Sequence, residues 1–203
     1  MGTNRKVAQF RTDERKEKIR RVVERRQPSL TVVLENVHDP HNVSAVIRSC
    51  DAVGILEVSL IYNGGQKFPK LGAKSSASAR KWVNQKHYES AADCFSELRK
   101  EGKKIYTTGM SSDAVSLYDL NLTEPVALVF GNEHEGVTEE AISLADGNFL
   151  IPQVGVIQSL NISVACAVSI YEAFRQRLNA GMYSDSQLSQ DELAILYNDF
   201  LAR

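Results

Sequence analysis

The run Leu30-Thr31-Val32-Val33-Leu34 shows no polar alternation, so a strand built from it must be covered on both faces. A sheet sandwiched between helices supplies that cover, and the rest of the chain fits the demand. A helix pattern follows, opened by Asp39 with Pro40 at its first position and stopped by Gly54. Further strands are expected at Val58–Tyr62, ended by Gly64-Gly65, then near Trp82–Tyr88, Lys104–Thr108, Pro125–Phe130 and Phe149–Ile151. Between them lie a helix from Ser90 to Gly102 and one capped by Thr138 with Glu139 and Glu140 in its first turn. A long helix runs from about Leu160 to Leu178. This alternation predicts the α/β class, with a mainly parallel sheet flanked by helices.

Both ends of the chain are helical in pattern. Thr12 is placed to cap a helix with Asp13 and Glu14 in its first turn. Its apolar stripe, Ile19, Val22 and Val23, is thin, and Arg20, Arg21, Arg25 and Arg26 form a basic face. The tail has a capping box, Ser189-x-x-Glu192, and an apolar stripe of Leu193, Leu196, Tyr197 and Phe200.

Length and composition narrow the class. At 203 residues the chain is expected to be one domain or one domain with appendages. No apolar stretch is long enough to span a membrane and the charged N-terminus lacks a signal-like core, so a cytoplasmic protein is expected. Cys50, Cys94 and Cys166 are far apart in sequence and lie in apolar patterns, which reads as reduced, buried thiols. Residues 1–26 hold ten Lys/Arg against four Asp/Glu, a charge of +6, so the remainder carries −7 to reach the net −1. A basic arm on an acidic body suggests a polyanionic partner, although a solvated, ion-paired helix would show the same composition.

Three polar islands sit at strand-to-helix junctions. In the first, 100° per residue puts Val43, Val46, Ile47 and Cys50 on one side of the helix and His41, Ser44, Arg48 and Asp51 on the other. Arg48 therefore points away from the core, at the carboxyl edge of the sheet where α/β ligands bind. A surface arginine paired with Asp51 or Ser44 is the alternative, and the commoner fate of such a residue. The second island, Gly131-Asn132-Glu133-His134-Glu135-Gly136, imitates a phosphate loop. Position 137 is Val where that loop needs Lys, and Glu133 and Glu135 would repel phosphate. Its glycines are read as allowing close backbone approach to a ligand that is not strongly anionic. The third joins Ile151-Pro152 to Ser159-Leu160-Asn161 at the start of the long helix, where one cap would suffice and two candidates stand. No dinucleotide or nucleophile-elbow motif occurs. His38, Asp39, His41 and His134 have no specific metal spacing, and no metal is expected.

Together the islands resemble the motifs of the SpoU branch of the SPOUT RNA methyltransferases. The first is Glu35-Asn36-Val37-x-x-Pro40-x-Asn42-x-x-Ala45-x-x-Arg48-x-x-x-Ala52-x-Gly54. The second is Leu128-Val129-Phe130-Gly131-Asn132-Glu133-x-Glu135-Gly136, and the third runs from Ile151-Pro152 to Gln158-Ser159-Leu160-Asn161-x-Ser163-x-Ala165. The resemblance covers roughly residues 12–178. The stretch Arg25 to Val37 looks like the tRNA ribose methyltransferases of that branch rather than its ribosomal relatives.

The resemblance implies a SPOUT domain over 30–178 ending in a deep trefoil knot, between a basic helical arm at 1–29 and a helical tail at 179–203. It implies a homodimer that binds S-adenosyl-L-methionine through Thr108, Gly109, Gly131, Ile151 and Leu160. It places Arg48 at the ribose, Asn42 beside it, and Glu135, Ser159 and Asn161 around the reacting centre. Transfer to a tRNA ribose 2′-hydroxyl, at guanosine 18 of the D-loop, is the expected reaction. Ribosomal RNA or the wobble position is the alternative target, and an RNA-binding protein without methyl transfer is the alternative class. The expected tRNA contacts are Arg11, Arg20, Arg21, Arg25, Arg26 and Lys74. Arg48 is either the base, an arginine side chain being nearly as weak an acid as a ribose hydroxyl, or a cation that stabilises the developing alkoxide.

Overall fold

The computed structural model describes residues 13–65, 68–69, 79–109, 111, 113–157 and 159–203. Thr12, Arg11, Lys67, Lys70, Lys74 and Gln158 lie outside the described residues. The chain runs α1 (Asp13–Glu24), β1 (Leu30–Glu35), α2 (Pro40–Ala52), β2 (Glu57–Ile61), β3 (Asn84–Tyr88), α3 (Ala91–Lys100) and β4 (Lys104–Thr108). It continues with β5 (Val115–Ser116), β6 (Val126–Phe130), α4 (Glu139–Leu144), β7 (Gly147–Leu150), α5 (Ile162–Asn179) and α6 (Gln190–Ala202).

The strands form one seven-stranded sheet in the order β3-β2-β1-β6-β4-β7-β5. Every pairing is parallel. β1 and β6 are the central pair, in register from Leu30–Val126 to Leu34–Phe130. Both are buried at every position, as their unbroken apolar runs require. Alternate residues serve opposite layers. Val32, Leu34, Leu128 and Phe130 face one core with Val43, Ile47, Cys166 and Ile170 of α2 and α5. Val33, Ala127 and Val129 face the other, with Phe95 and Leu98 of α3 and Ala141 of α4.

Sequence reading missed β5, because two residues carry no periodicity; only pairing with Phe149 and Leu150 of β7 makes them a strand. β3 starts at Asn84 rather than Trp82, because a 3-10 turn, Ala79–Lys81, occupies the approach. Asp39, Ser90, Thr138 and Ser189 cap their helices as expected, the last with a complete capping box. Gly54 has φ +84, and a Cβ there would lie 2.6 Å from the Arg25 carbonyl oxygen, so this turn requires glycine.

The thin apolar stripe of α1 still finds a partner in the tail helix. Its Ile19 and Val23 join Phe200 of α6 in a third small core, bordered by Trp82, Leu193 and Tyr197. Cys50, Cys94 and Cys166 are free and buried. Burial raises the Cys50 thiol, helped by a hydrogen bond with Cys166, and pushes Cys94 up to about 12. Among the described residues no helix is long and apolar enough to cross a membrane.

Candidate active site

The carboxyl ends of β1 and β6 are tied together by side chains. Asn36 has φ +53, a backbone conformation that asparagine tolerates better than most residues. Its side chain accepts a hydrogen bond from Asn63 N, and its carbonyl accepts one from Asn132 Nδ2 at 2.8 Å. Asn132 and Gly136 exchange two backbone hydrogen bonds of 2.9 Å, which closes the loop after β6 into a tight turn. Gly131 is required inside that turn. A Cβ there would meet the Gly136–Val137 peptide at 2.1–2.2 Å. The chain's own backbone therefore requires this glycine whatever ligand the cavity takes.

The loops after β4, β6 and β7 line a cavity of ≈ 740 Å³ at this edge of the sheet. All five expected cofactor positions, Thr108, Gly109, Gly131, Ile151 and Leu160, are among its walls. Thr108 is held by a 3.0 Å hydrogen bond from its hydroxyl to the Val129 carbonyl. Ser159 and Asn161 also face the cavity. Among the described lining residues none is Lys, Arg or His, and Glu133 is the one charged group. A phosphate-bearing ligand finds no counter-charge there, whereas an apolar ring and a cation fit. The volume lies within the usual range for small-ligand sites, about 300–1,000 Å³. Among the described residues no group of three or more His, Cys, Asp or Glu could hold a metal.

At the mouth of the cavity stands a chain of polar side chains. Asn161 caps α5, accepting from Ser163 N and Val164 N, and its Nδ2 donates to Asn42 Oδ1 at 3.1 Å. Asn42 Nδ2 in turn donates to Glu133 Oε1 at 2.6 Å. Asn161 alone caps the helix, which frees Ser159, exposed two residues upstream, from that role. Burial, then the nearby Glu133 carboxylate, holds the Tyr62 phenol well above its usual range, and its hydroxyl donates to the Val37 carbonyl at 2.6 Å.

Two expected residues are not brought into this chain of side chains. Glu135 is exposed and does not line the cavity, while Glu133 both lines it and holds Asn42. No local signal in the sequence separates these two glutamates, which stand two positions apart on one loop; the contact of Glu133 with Asn42 of α2 does. Arg48 is exposed on α2, lines no wall of the cavity, and has no hydrogen-bond or ion-pair partner among the described residues. Asp51, its suggested partner, pairs with Arg26 instead, and Ser44 is buried.

The basic arm divides as well. Arg20, Arg21 and Arg25 are exposed. Arg26 is a correction: it is only 1% exposed and cannot serve as a free phosphate contact. Its guanidinium pairs with Asp51 at 2.7 Å, donates to the Ile55 carbonyl, and lies 5.4 Å from the centre of the Phe200 ring. Position 26 falls just beyond α1, where the chain turns into the sheet, so the helical face drawn from sequence does not extend to it.

Comparison with known proteins covers this whole region. The family model of the SpoU rRNA Methylase family matches residues 29–171, which include every loop of the cavity. A Thermus thermophilus protein named tRNA (guanosine(18)-2′-O)-methyltransferase is 44% identical over 192 residues, spanning 95% of this chain and 96% of its own length. The crystal structure of the A. aeolicus TrmH/SpoU tRNA modifying enzyme superposes with a TM-score of 0.86 at 35% identity, covering 93% of this chain and 95% of that one. An AdoMet-bound rRNA methyltransferase from Sinorhizobium meliloti superposes with a TM-score of 0.66 at 25% identity, covering 77% of this chain and 59% of that one. By the extent of the family match and by these relatives, the chain belongs to the SpoU rRNA Methylase family.

Proposed function

We propose that the protein transfers the methyl group of S-adenosyl-L-methionine to the ribose 2′-hydroxyl of guanosine 18 in the tRNA D-loop. The observation that carries the chemistry is the cavity at the carboxyl edge, apolar and rich in backbone, with Glu133 as its one charged wall among the described residues. Thr108, Gly109, Gly131, Ile151 and Leu160 would hold the cofactor, which supplies an electrophilic methyl group when bound. The choice of tRNA and of position 18 rests on the Thermus relative, whose name states that reaction and whose match runs along nearly the whole chain.

The chain's own residues supply positioning and charge. Glu133 fixes the amide of Asn42, and Asn42 fixes that of Asn161, so both amides are set before substrate arrives. Ser159 is free to hydrogen-bond the ribose. Arg48 carries an exposed guanidinium that suits a developing 2′-alkoxide. The proton leaves either to Arg48 in its neutral guanidine form or, where Arg48 stays a cation, to RNA phosphate or solvent. Arg20, Arg21 and Arg25 meet the tRNA backbone.

Two further features belong to this reading. The last third of the domain is a deep trefoil knot: the three cavity loops leave β4, β6 and β7, and β6 inserts between β1 and β4, which supports threading of the chain there. The working unit is a homodimer. Val164, Tyr171 and Leu178 recur every seven residues on α5 and are all exposed, as are Val154, Val156 and Ile157 of the preceding loop. A second copy would cover them, and would bring Arg48 of one subunit to the cavity of the other. Light scattering at low micromolar concentration tests the assembly, with Tyr171→Glu expected to give monomers without methyl transfer. Mapping ribose methylation on cellular tRNA with and without the protein tests the reaction: loss of the mark at guanosine 18 supports it, and loss in ribosomal RNA or at the wobble position alone refutes it.

A further inference from the structure

Glu35, the last residue of β1, carries a fully buried carboxylate whose hydrogen-bond donors among the described residues are all neutral. Thr138 N donates to its Oε2 at 2.9 Å, Thr138 Oγ1 to its Oε1 at 2.7 Å, and Asn63 Nδ2 to its Oε1 at 3.4 Å. No cation pairs with it among the described residues. A buried charge held this way is unfavourable, and capping does not explain it, because Thr138 already caps α4 through its own hydroxyl. What the carboxylate adds is a second anchor for the loop after β6. Asn132 is tied to the carbonyl of Asn36 and Thr138 to the side chain of Glu35, so adjacent residues at the end of β1 hold both ends of the loop 132–138. Glu133, which fixes Asn42, lies between these anchors.

The geometry points to Glu35 as a positioning residue for methyl transfer, acting through Glu133 on the Asn42–Asn161 amide pair. This rests on the functional reading given above. Glu35→Gln keeps the volume but replaces one acceptor oxygen with a donor facing Thr138. The turn then loosens at its far anchor while the cavity walls contributed by β4 and β7 stay in place.

Glu35→Gln is expected to lower kcat by about tenfold or more while changing the affinity for S-adenosylhomocysteine by less than about twofold. Because Glu35 acts through Glu133, the double variant Glu35→Gln/Glu133→Gln should turn over no more slowly than Glu133→Gln alone. The side-chain amide resonance of Asn42 should shift in Glu35→Gln, which a change in global stability alone would not cause. If Glu35→Gln does not fold, Thr138→Val removes one of the same hydrogen bonds and should move kcat and the Asn42 resonance in the same direction. Losses that add in the double variant, an unchanged kcat, or an unmoved Asn42 resonance would each overturn the assignment. A wild-type protein that transfers no methyl group would contradict the functional reading alone, since the Asn42 resonance is read without turnover.

Discussion

The two ends of the central strands treat polar groups in opposite ways. At the amino ends of β1 and β6, Arg177 of α5 is fully buried and its guanidinium makes five hydrogen bonds, to the Leu122, Ser29 and Glu124 carbonyls, Gln27 Oε1 and Ser29 Oγ. Gln187 of the tail closes the cluster by bonding both Gln27 and Ser29. Burial lowers the Arg177 pKa to about 10, and neutral acceptors satisfy its donors. At the carboxyl ends, Arg48 and Ser159 are exposed, and one carboxylate faces an open cavity. Saturated polar groups join elements of the fold; unsaturated ones are available to a ligand. The same residue type is therefore saturated and buried at position 177 and left exposed at position 48.

The largest expected effect breaks the comparison at the open end. Arg48→Ala should cut methyl transfer by at least about a hundredfold, as removal of an oriented charge stabiliser does, with little change in stability or in S-adenosylhomocysteine affinity. Calorimetry beside a labelled-methyl transfer assay separates these quantities, and near-normal turnover would end the catalytic assignment of Arg48. At the closed end the loss should fall on stability instead. Arg177→Met strands several buried acceptors, and chemical denaturation should show a loss of more than about 3 kcal/mol. A variant as stable as the wild type would show that the cluster does not hold the two ends of the chain to the sheet.

Sequence reading reached different depths in the two regions. The unbroken apolar runs of β1 and β6 and the helix caps are local signals, and they placed every strand but β5, the carboxyl edge and the three polar islands. Arg26 and Arg177 could not be read so. Each is an arginine among polar or basic neighbours, and its burial depends on Asp51, Ile55 and Phe200 in one case and on residues 27–29, 122–124 and 187 in the other. The choice of Glu133 over Glu135 likewise depends on a contact distant in sequence, with Asn42 of α2. The family resemblance supplied five expected cofactor positions that spacing alone would not have singled out, and all five line the cavity.

Smaller effects sharpen the contrast within the arginines. Replacing Arg20, Arg21 and Arg25 by Gln should flatten the slope of log tRNA affinity against log salt by about 0.7–0.9 for each phosphate no longer engaged. Filter binding across a salt series measures this, and Arg26→Gln should instead lower stability by removing its Asp51 pair. An unchanged slope in the triple variant would mean that this face of α1 does not meet RNA. The smallest effect concerns Tyr183, whose hydroxyl donates to the Val53 carbonyl at 2.7 Å. Burial pushes its phenol up from 10.0 to about 12, so the folded protein keeps a proton that the unfolded chain releases. That contribution is complete below pH 10 and is lost as pH rises toward 12. Tyr183→Phe should cost about 1 kcal/mol at neutral pH, and the gap from wild type should narrow above pH 10 in denaturation series. A gap that widens with pH would reverse the assigned sign.

The central claim is that the open end of the sheet delivers a methyl group to one ribose oxygen. The most direct measurement uses two tRNA transcripts that differ only at position 18, one with guanosine and one with 2′-deoxyguanosine, incubated with the protein and methyl-labelled S-adenosyl-L-methionine. Label is predicted in the first transcript, located by nuclease digestion and mass spectrometry as 2′-O-methylguanosine, and none in the second. Equal labelling of both transcripts, or a methyl group on a base, would contradict the account.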